Sequence, residues 1–154
     1  MTYTVGLDVG TQGTKGLLLQ ADTGKVVSRA HSNYDLLPGL PNGAAEQHPH
    51  TWRDAAAEVL LQLLQESRIA PEAIVAVGVS GQQHGSVFLD GRQQVVRPAK
   101  LWCDTSTADE AAQLSEAFGR NVPTGFTASK LLWLARHEPD HWARTSQVLL
   151  PHDY

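Results

Sequence analysis

The chain has 154 residues, 42% of them hydrophobic, with a formal net charge of -4 and no run of lysine or arginine. That composition is enough to bury a core, and the charge argues against a nucleic-acid partner. One cysteine, Cys103, excludes an intrachain disulfide and fits a reducing compartment. The opening MTYTVGLDV has neither the basic start nor the long apolar stretch of a secretory signal. No apolar run approaches the roughly 18 residues that span a membrane. A cytoplasmic domain, with no membrane partner, is the expectation.

In chain order, Val5, Leu7 and Val9 alternate with polar or small residues, the period of a strand. GTQG is a turn, and Thr14 to Gln20 reads as a second strand. DTGK marks another turn, and Val26 to Ala30 reads as a third strand, completing an antiparallel meander. Residues 35–50, rich in proline and glycine, read as a loop. Thr51 to Ser67 carries apolar residues at helical spacing, with Thr51 and Asp54 at its expected start. AIVAVGVS, residues 73–80, is a continuous apolar run and predicts a strand buried on both faces. A hairpin around Gly91, a strand at Ala99 to Trp102, helices at Thr105 to Phe118 and Thr127 to His137, and a last strand at 148–150 complete the pattern. The order predicts an α/β domain with a mixed sheet and flanking helices.

Three stretches carry candidate chemistry. In LDVGTQGTKG, chain reversal at Gly10 to Gly13 would point successive backbone N–H groups outward, forming an anion-binding concavity. Thr11 and Thr14 add hydroxyls, Lys15 a positive charge, and Asp8 a carboxylate that could hold magnesium. The stretch is not a Walker loop, and an ordinary hairpin turn remains open. GQQHG follows the apolar strand, where ligands of open α/β sheets tend to sit. Its Gln82, Gln83 and His84 offer donors and acceptors to a polyhydroxyl ligand, or form only a polar turn. In LWCDTST, Trp102 could pack on the C–H face of a sugar and Asp104 could accept hydroxyl protons. A core tryptophan followed by a helix cap reads equally well. Cys103 has no neighbour in sequence that would activate it.

HEPDH, residues 137–141, matches the H-E-x-x-H zinc protease pattern, but Pro139 lies between the histidines. Proline disfavours the unbroken helix that would put both imidazoles on one face, so no metal site is expected there.

Together these motifs resemble the FGGY carbohydrate kinases, in particular their xylulose-specific members. GFTASKLLWLARH, Gly125 to His137, is similar to the family's first signature, with Thr127, Lys130 and Trp133 in place. GLDVGTQGTK resembles its phosphate-binding opening and GQQHGS its sugar-site motif; LWCDT and VLLPHDY also fit. The resemblance implies an RNase H-like domain of the actin and hexokinase type, and two such domains with ATP and sugar between them. It implies phosphorylation of D-xylulose to D-xylulose 5-phosphate. Thr11, Gln12, Gly13, Thr14 and Lys15 would then line the nucleotide phosphates and Asp8 would support magnesium. Gln82, Gln83 and His84 would hold the sugar, with Trp102 and Asp104 carried over more weakly. It also implies that residues 1–154 are an incomplete N-terminal sugar-binding domain. The nucleotide domain and a general-base aspartate would lie beyond Tyr154, and the isolated fragment would be inactive. A homodimer is carried with this reading. A kinase for ribulose or another polyol, and a non-catalytic actin-like module, stand as the rivals.

Overall fold

The computed structural model describes residues 1–154. In chain order the elements are β1 (Tyr3–Val9), β2 (Gly13–Gln20), β3 (Val26–Asn33), β4 (Glu46–Gln47), α1 (Pro49–Ser67), β5 (Ile74–Gly81), β6 (Val87–Leu89), β7 (Ala99–Lys100), α2 (Ala108–Phe118), α3 (Thr127–His137), α4 (Pro139–Arg144) and β8 (Gln147–Leu149). The chain forms two compact units. One comprises Met1–Asp35 with His50–Gly81, the other Leu36–Pro49 with Gln82–Tyr154.

The first unit is a four-stranded sheet of order β3-β2-β1-β5. β1, β2 and β3 form the predicted antiparallel meander, and β5 joins β1 in parallel. The register Val5↔Leu18, Leu7↔Gly16 fixes which side chains share a face. Val5, Leu7, Leu18 and Ala30 meet Val59 and Leu63 of α1 in one buried cluster. Gly16 lets the helix approach the sheet, because a Cβ there would stand 2.4 Å from Val59 Cγ1 and 3.0 Å from Leu63 Cδ1. The opposite face presents Gly6, Asp8, Lys15 and Leu17, which with Leu7 line a shallow depression.

The apolar run at 73–80 forms its strand, β5 at 74–81, but not the expected burial. Val75, Val77 and Val79 are 60%, 53% and 49% exposed. The physical reason is position: β5 ends the sheet with β1 as its one strand partner, and the packed cluster under α1 is built on β1, β2 and β3.

In the second unit, the stretch expected to be a loop contributes β4, which pairs with β7 through Glu46↔Lys100 and Gln47↔Ala99. β6 pairs with β8, and Phe88, Val96 and Leu134 form the core with Leu131, Trp133 and Val148 against it. A buried charge network holds these pieces. Arg97 Nη2 donates to both oxygens of Glu46 at 2.9 and 2.8 Å, and Arg97 Nε pairs with Glu138 at 2.8 Å. Lys100 Nζ lies 3.1 Å from Glu46 Oε1 and 4.0 Å from the centroid of the Trp133 ring. Burying these charges is tolerable because each carboxylate is met by a cation with hydrogen-bond geometry.

Several boundaries move. α1 begins at Pro49 instead of Thr51, in keeping with the preference of proline for a first helical turn. α2 begins at Ala108 instead of Thr105 and ends on Gly119, whose φ of 61° supplies the left-handed cap. The helix at 127–137 has the predicted bounds. Glu138 breaks it, with φ -135° and ψ 62°, and Pro139 opens α4. His137 and His141 therefore stand on different helices and bond Glu110 and Glu138 respectively. No group of three metal-ligating side chains occurs in the chain. No helix is long and apolar enough to cross a membrane.

Candidate active site

The phosphate-loop candidate lies in the first unit. Gly10 N–H donates to Gly13 C=O at 3.0 Å, closing the turn between β1 and β2. Gly13 runs against β3, where a Cβ would meet Ser32 O at 2.7 Å. Tyr34, just past β3, fastens the turn from outside. Its hydroxyl donates to Gly10 C=O at 2.8 Å and lies 3.2 Å from Thr14 Oγ1, and its N–H donates to Gln12 C=O at 3.3 Å. Burial pushes the Tyr34 phenol up, opposed by its bond to Thr14 and reinforced by the charge of Asp8, so the hydroxyl stays a donor.

Asp8 and Lys15 are register partners across the hairpin and both are exposed. Strand alternation places them on the face away from α1, one carboxylate beside one ammonium at the mouth of the turn. Thr11 and Gln12 lie at the tip with surface exposed. Thr14 is a correction. It has no exposed surface and its hydroxyl is engaged with Tyr34, so the side chain braces the turn and offers no donor to a phosphate. A lone carboxylate suits magnesium, which keeps waters and takes most of its ligands from substrate phosphates. Asp8 fits that mode.

The sugar-site candidate lies in the second unit. Gln83 and His84 are exposed at the loop after β5. The loop is held by His152 N–H donating to Gln82 C=O at 3.1 Å, Ser86 N–H to Lys100 C=O at 3.0 Å, and Thr127 Oγ1–H to Gly85 C=O at 3.0 Å. Gly85 is required by close approach, because a Cβ there would stand 2.5 Å from Pro151 Cγ. His84 takes a left-handed backbone, φ 59°, unusual for a residue with a side chain. Its ring stacks on Phe126 with centroids 4.5 Å apart and planes 12° apart.

Two further expectations need correction here. Gln82 is 7% exposed and its amide lies 3.5 Å from Gln47 Oε1, so it supports the loop from below. Asp104 is wholly buried and its carboxylate already accepts four donors. Oδ2 takes Ala45 N–H at 2.9 Å and Lys100 Nζ at 3.3 Å; Oδ1 takes Ser106 N–H at 3.0 Å and Ser106 Oγ–H at 2.7 Å. The aspartate is a structural hub and has no surface to offer a sugar. Trp102 is 53% exposed, so the core-tryptophan alternative does not hold. Burial raises the Cys103 thiol, in keeping with an unreactive cysteine.

Sequence reasoning missed Tyr34 and Phe126. Tyr34 closes on a turn more than twenty positions upstream, and Phe126 on a loop more than forty upstream, with no local pattern to announce either contact.

Residues 3–154 match the N-terminal domain model of the FGGY family of carbohydrate kinases. The chain belongs to that family. The xylulose kinase of Haemophilus influenzae is 37% identical over 97% of this chain and 33% of its own length. A solved xylulose kinase structure from Brucella ovis superposes with a TM-score of 0.92 at 40% identity, over 99% of this chain and 33% of that one. Another, from Rhodospirillum rubrum, gives 0.86 at 32% identity, again over 99% and 33%. The FGGY chain thus spans about a third of the length of the relatives it matches. Its mixed sheet with flanking helices is the sugar-kinase version of the actin and hexokinase fold.

Proposed function

We propose that the protein of which this chain is part transfers the γ-phosphoryl group of ATP to the terminal hydroxyl of D-xylulose, giving D-xylulose 5-phosphate and ADP. The observation that carries the reading is the Asp8–Lys15 pair, exposed on one face beside a braced glycine turn. Phosphoryl transfer asks the protein mainly for positioning and charge neutralisation. In this reading the backbone N–H groups of Thr11, Gln12 and Gly13 and the ammonium of Lys15 meet the nucleotide phosphates. Asp8 meets the magnesium ion that accompanies them. Gln83 and His84 hold sugar hydroxyls, with Trp102 as an apolar wall. The hydroxyl oxygen forms the new P–O bond as the bond to the ADP oxygen breaks. The hydroxyl proton goes to a base that we assign to the protein beyond residues 1–154. Residues 1–154 are then the sugar-binding N-terminal domain, and a cytoplasmic homodimer goes with the reading. The family and the names of the relatives support the substrate choice.

The test is ADP release by the full-length gene product with magnesium, ATP and a panel of D-xylulose, D-ribulose, L-ribulose, glycerol and gluconate. The highest kcat/KM should fall on D-xylulose. Preference for another member would overturn the substrate, and no turnover with any from folded protein would overturn the kinase reading.

A further inference from the structure

The first turn of α3 contains a lysine that does no surface work. Lys130 has no exposed area. Its ammonium donates to three successive carbonyls of the preceding loop: Thr124 at 2.8 Å, Gly125 at 3.0 Å and Phe126 at 3.2 Å. An ammonium has three N–H donors, and here each has a partner. Ser129 Oγ adds contacts at 3.1 and 3.0 Å to the carbonyls of Thr124 and Phe126. It is held in turn by Thr107 Oγ1 at 2.9 Å. The loop is also fixed on its other side, where a Cβ on Gly125 would stand 2.8 Å from Trp102 O.

Five polar contacts therefore lock a three-residue loop that ends, at the N-cap of α3, in a phenylalanine with 44% of its surface exposed. A large apolar ring left partly open on a rigidly held segment is an unusual use of structure unless the ring has a task. One of its faces meets the imidazole of His84, nearly parallel at 4.5 Å. The bond from Thr127 Oγ1 to Gly85 C=O, 3.0 Å, ties the same two loops one residue further along on each side. His84 is also held in a left-handed backbone conformation, so its ring orientation is set from two directions.

We propose that Phe126 is the positioning residue for His84: the lysine-locked loop presents a flat aromatic face that fixes the imidazole plane, so that its nitrogen-bearing edge meets the ligand hydroxyl. The inference rests on the reading of His84 as a sugar contact. It adds a residue that acts on the sugar through the histidine.

The experiment uses the full-length protein with Phe126→Ala, Phe126→Tyr, His84→Ala and the His84→Ala/Phe126→Ala double variant. Kinetics are measured with D-xylulose and ATP varied separately, and histidine ε1 signals are followed by 13C-edited NMR. Phe126→Ala should raise the KM for D-xylulose about three- to tenfold, the scale of losing one aromatic pairing, and leave the KM for ATP unchanged. Phe126→Tyr keeps the face and should restore the KM to within about twofold of the parent. In the His84→Ala background, Phe126→Ala should add nothing. The His84 ε1 proton should lose its ring-current shift in Phe126→Ala and keep it in Phe126→Tyr. An unchanged His84 signal in Phe126→Ala, or full additivity in the double variant, would overturn the proposal. If His84→Ala leaves D-xylulose kinetics untouched, the sugar-site reading fails instead, and the NMR shift alone then decides whether Phe126 orients the ring.

Discussion

The hydroxyl of Tyr34 donates to the carbonyl of Gly10 at 2.8 Å while touching the hydroxyl of Thr14 at 3.2 Å. One phenol thus grips both ends of the glycine turn between β1 and β2. If the turn offers its N–H groups to phosphates, as proposed, it gains from being fixed before the ligand arrives, because less ordering remains for binding to supply. Tyr34→Phe removes one oxygen and leaves the ring. The KM for ATP should rise severalfold with the KM for D-xylulose unchanged, and stability should fall by about 1 kcal/mol, the net worth of one hydrogen bond. Initial rates with each substrate varied in turn, and urea unfolding, check both parts.

Gly16 tests the packing beneath that hairpin. A methyl group there would sit 2.4 Å from Val59 Cγ1. Gly16→Ala should therefore destabilise the protein by about 1–3 kcal/mol, as overpacking of a close helix–sheet contact does. A urea midpoint unchanged from the parent would contradict the packing described for α1.

Asp104 offers a sharper separation of structural from binding roles. Its carboxylate accepts four donors, one from Lys100, and has no exposed surface. Asp104→Ala should cost about 3–5 kcal/mol, the penalty for breaking a buried ion pair and leaving the N–H groups of Ala45 and Ser106 unsatisfied. The fraction that folds should retain the parent KM for D-xylulose. A stable Asp104→Ala variant with a raised sugar KM would return Asp104 to the binding site.

Much of this architecture was legible in the chain. Alternation in Val5, Leu7 and Val9, the DTGK turn and the helical spacing of Val59 and Leu63 predict the meander and its covering helix, and these are present. Asp8, Lys15, Gln83 and His84 are exposed. What failed was burial, which sequence period does not encode for an end strand or a polar side chain. Val77 and Val79 read as interior because they are apolar, yet β5 closes the sheet and stands exposed. Thr14, Gln82 and Asp104 read as ligands because they are polar, yet each is buried against its own protein partner. Two-residue β4 was illegible because its pairing with β7 joins segments more than fifty residues apart.

Lys130 gives a pH dependence with a definite sign. Burial, helped by the charge of Lys100 and opposed by Asp104, lowers its ammonium to about 8. The unfolded chain holds the same proton until about 10.4. Between those values the unfolded state binds more protons than the folded one, so the lysine's contribution raises stability as pH increases and is lost as pH falls through about 8. The difference in unfolding free energy between parent and Lys130→Met should grow in favour of the parent from pH 8 to 10, at no more than about 1.4 kcal/mol per pH unit. A flat or falling difference across that window would contradict the weakened hold of the buried Lys130 side chain on its proton.

In the proposed function the nucleotide phosphates bind at the β1–β2 turn and the sugar at the loop after β5. The most direct test is a two-substrate initial-rate matrix on the full-length protein, comparing the parent with Lys15→Ala and His84→Ala. Lys15→Ala should raise the KM for ATP and spare that for D-xylulose, and His84→Ala should do the reverse. The same constant changing in both variants, or neither variant altering either constant, would contradict that assignment.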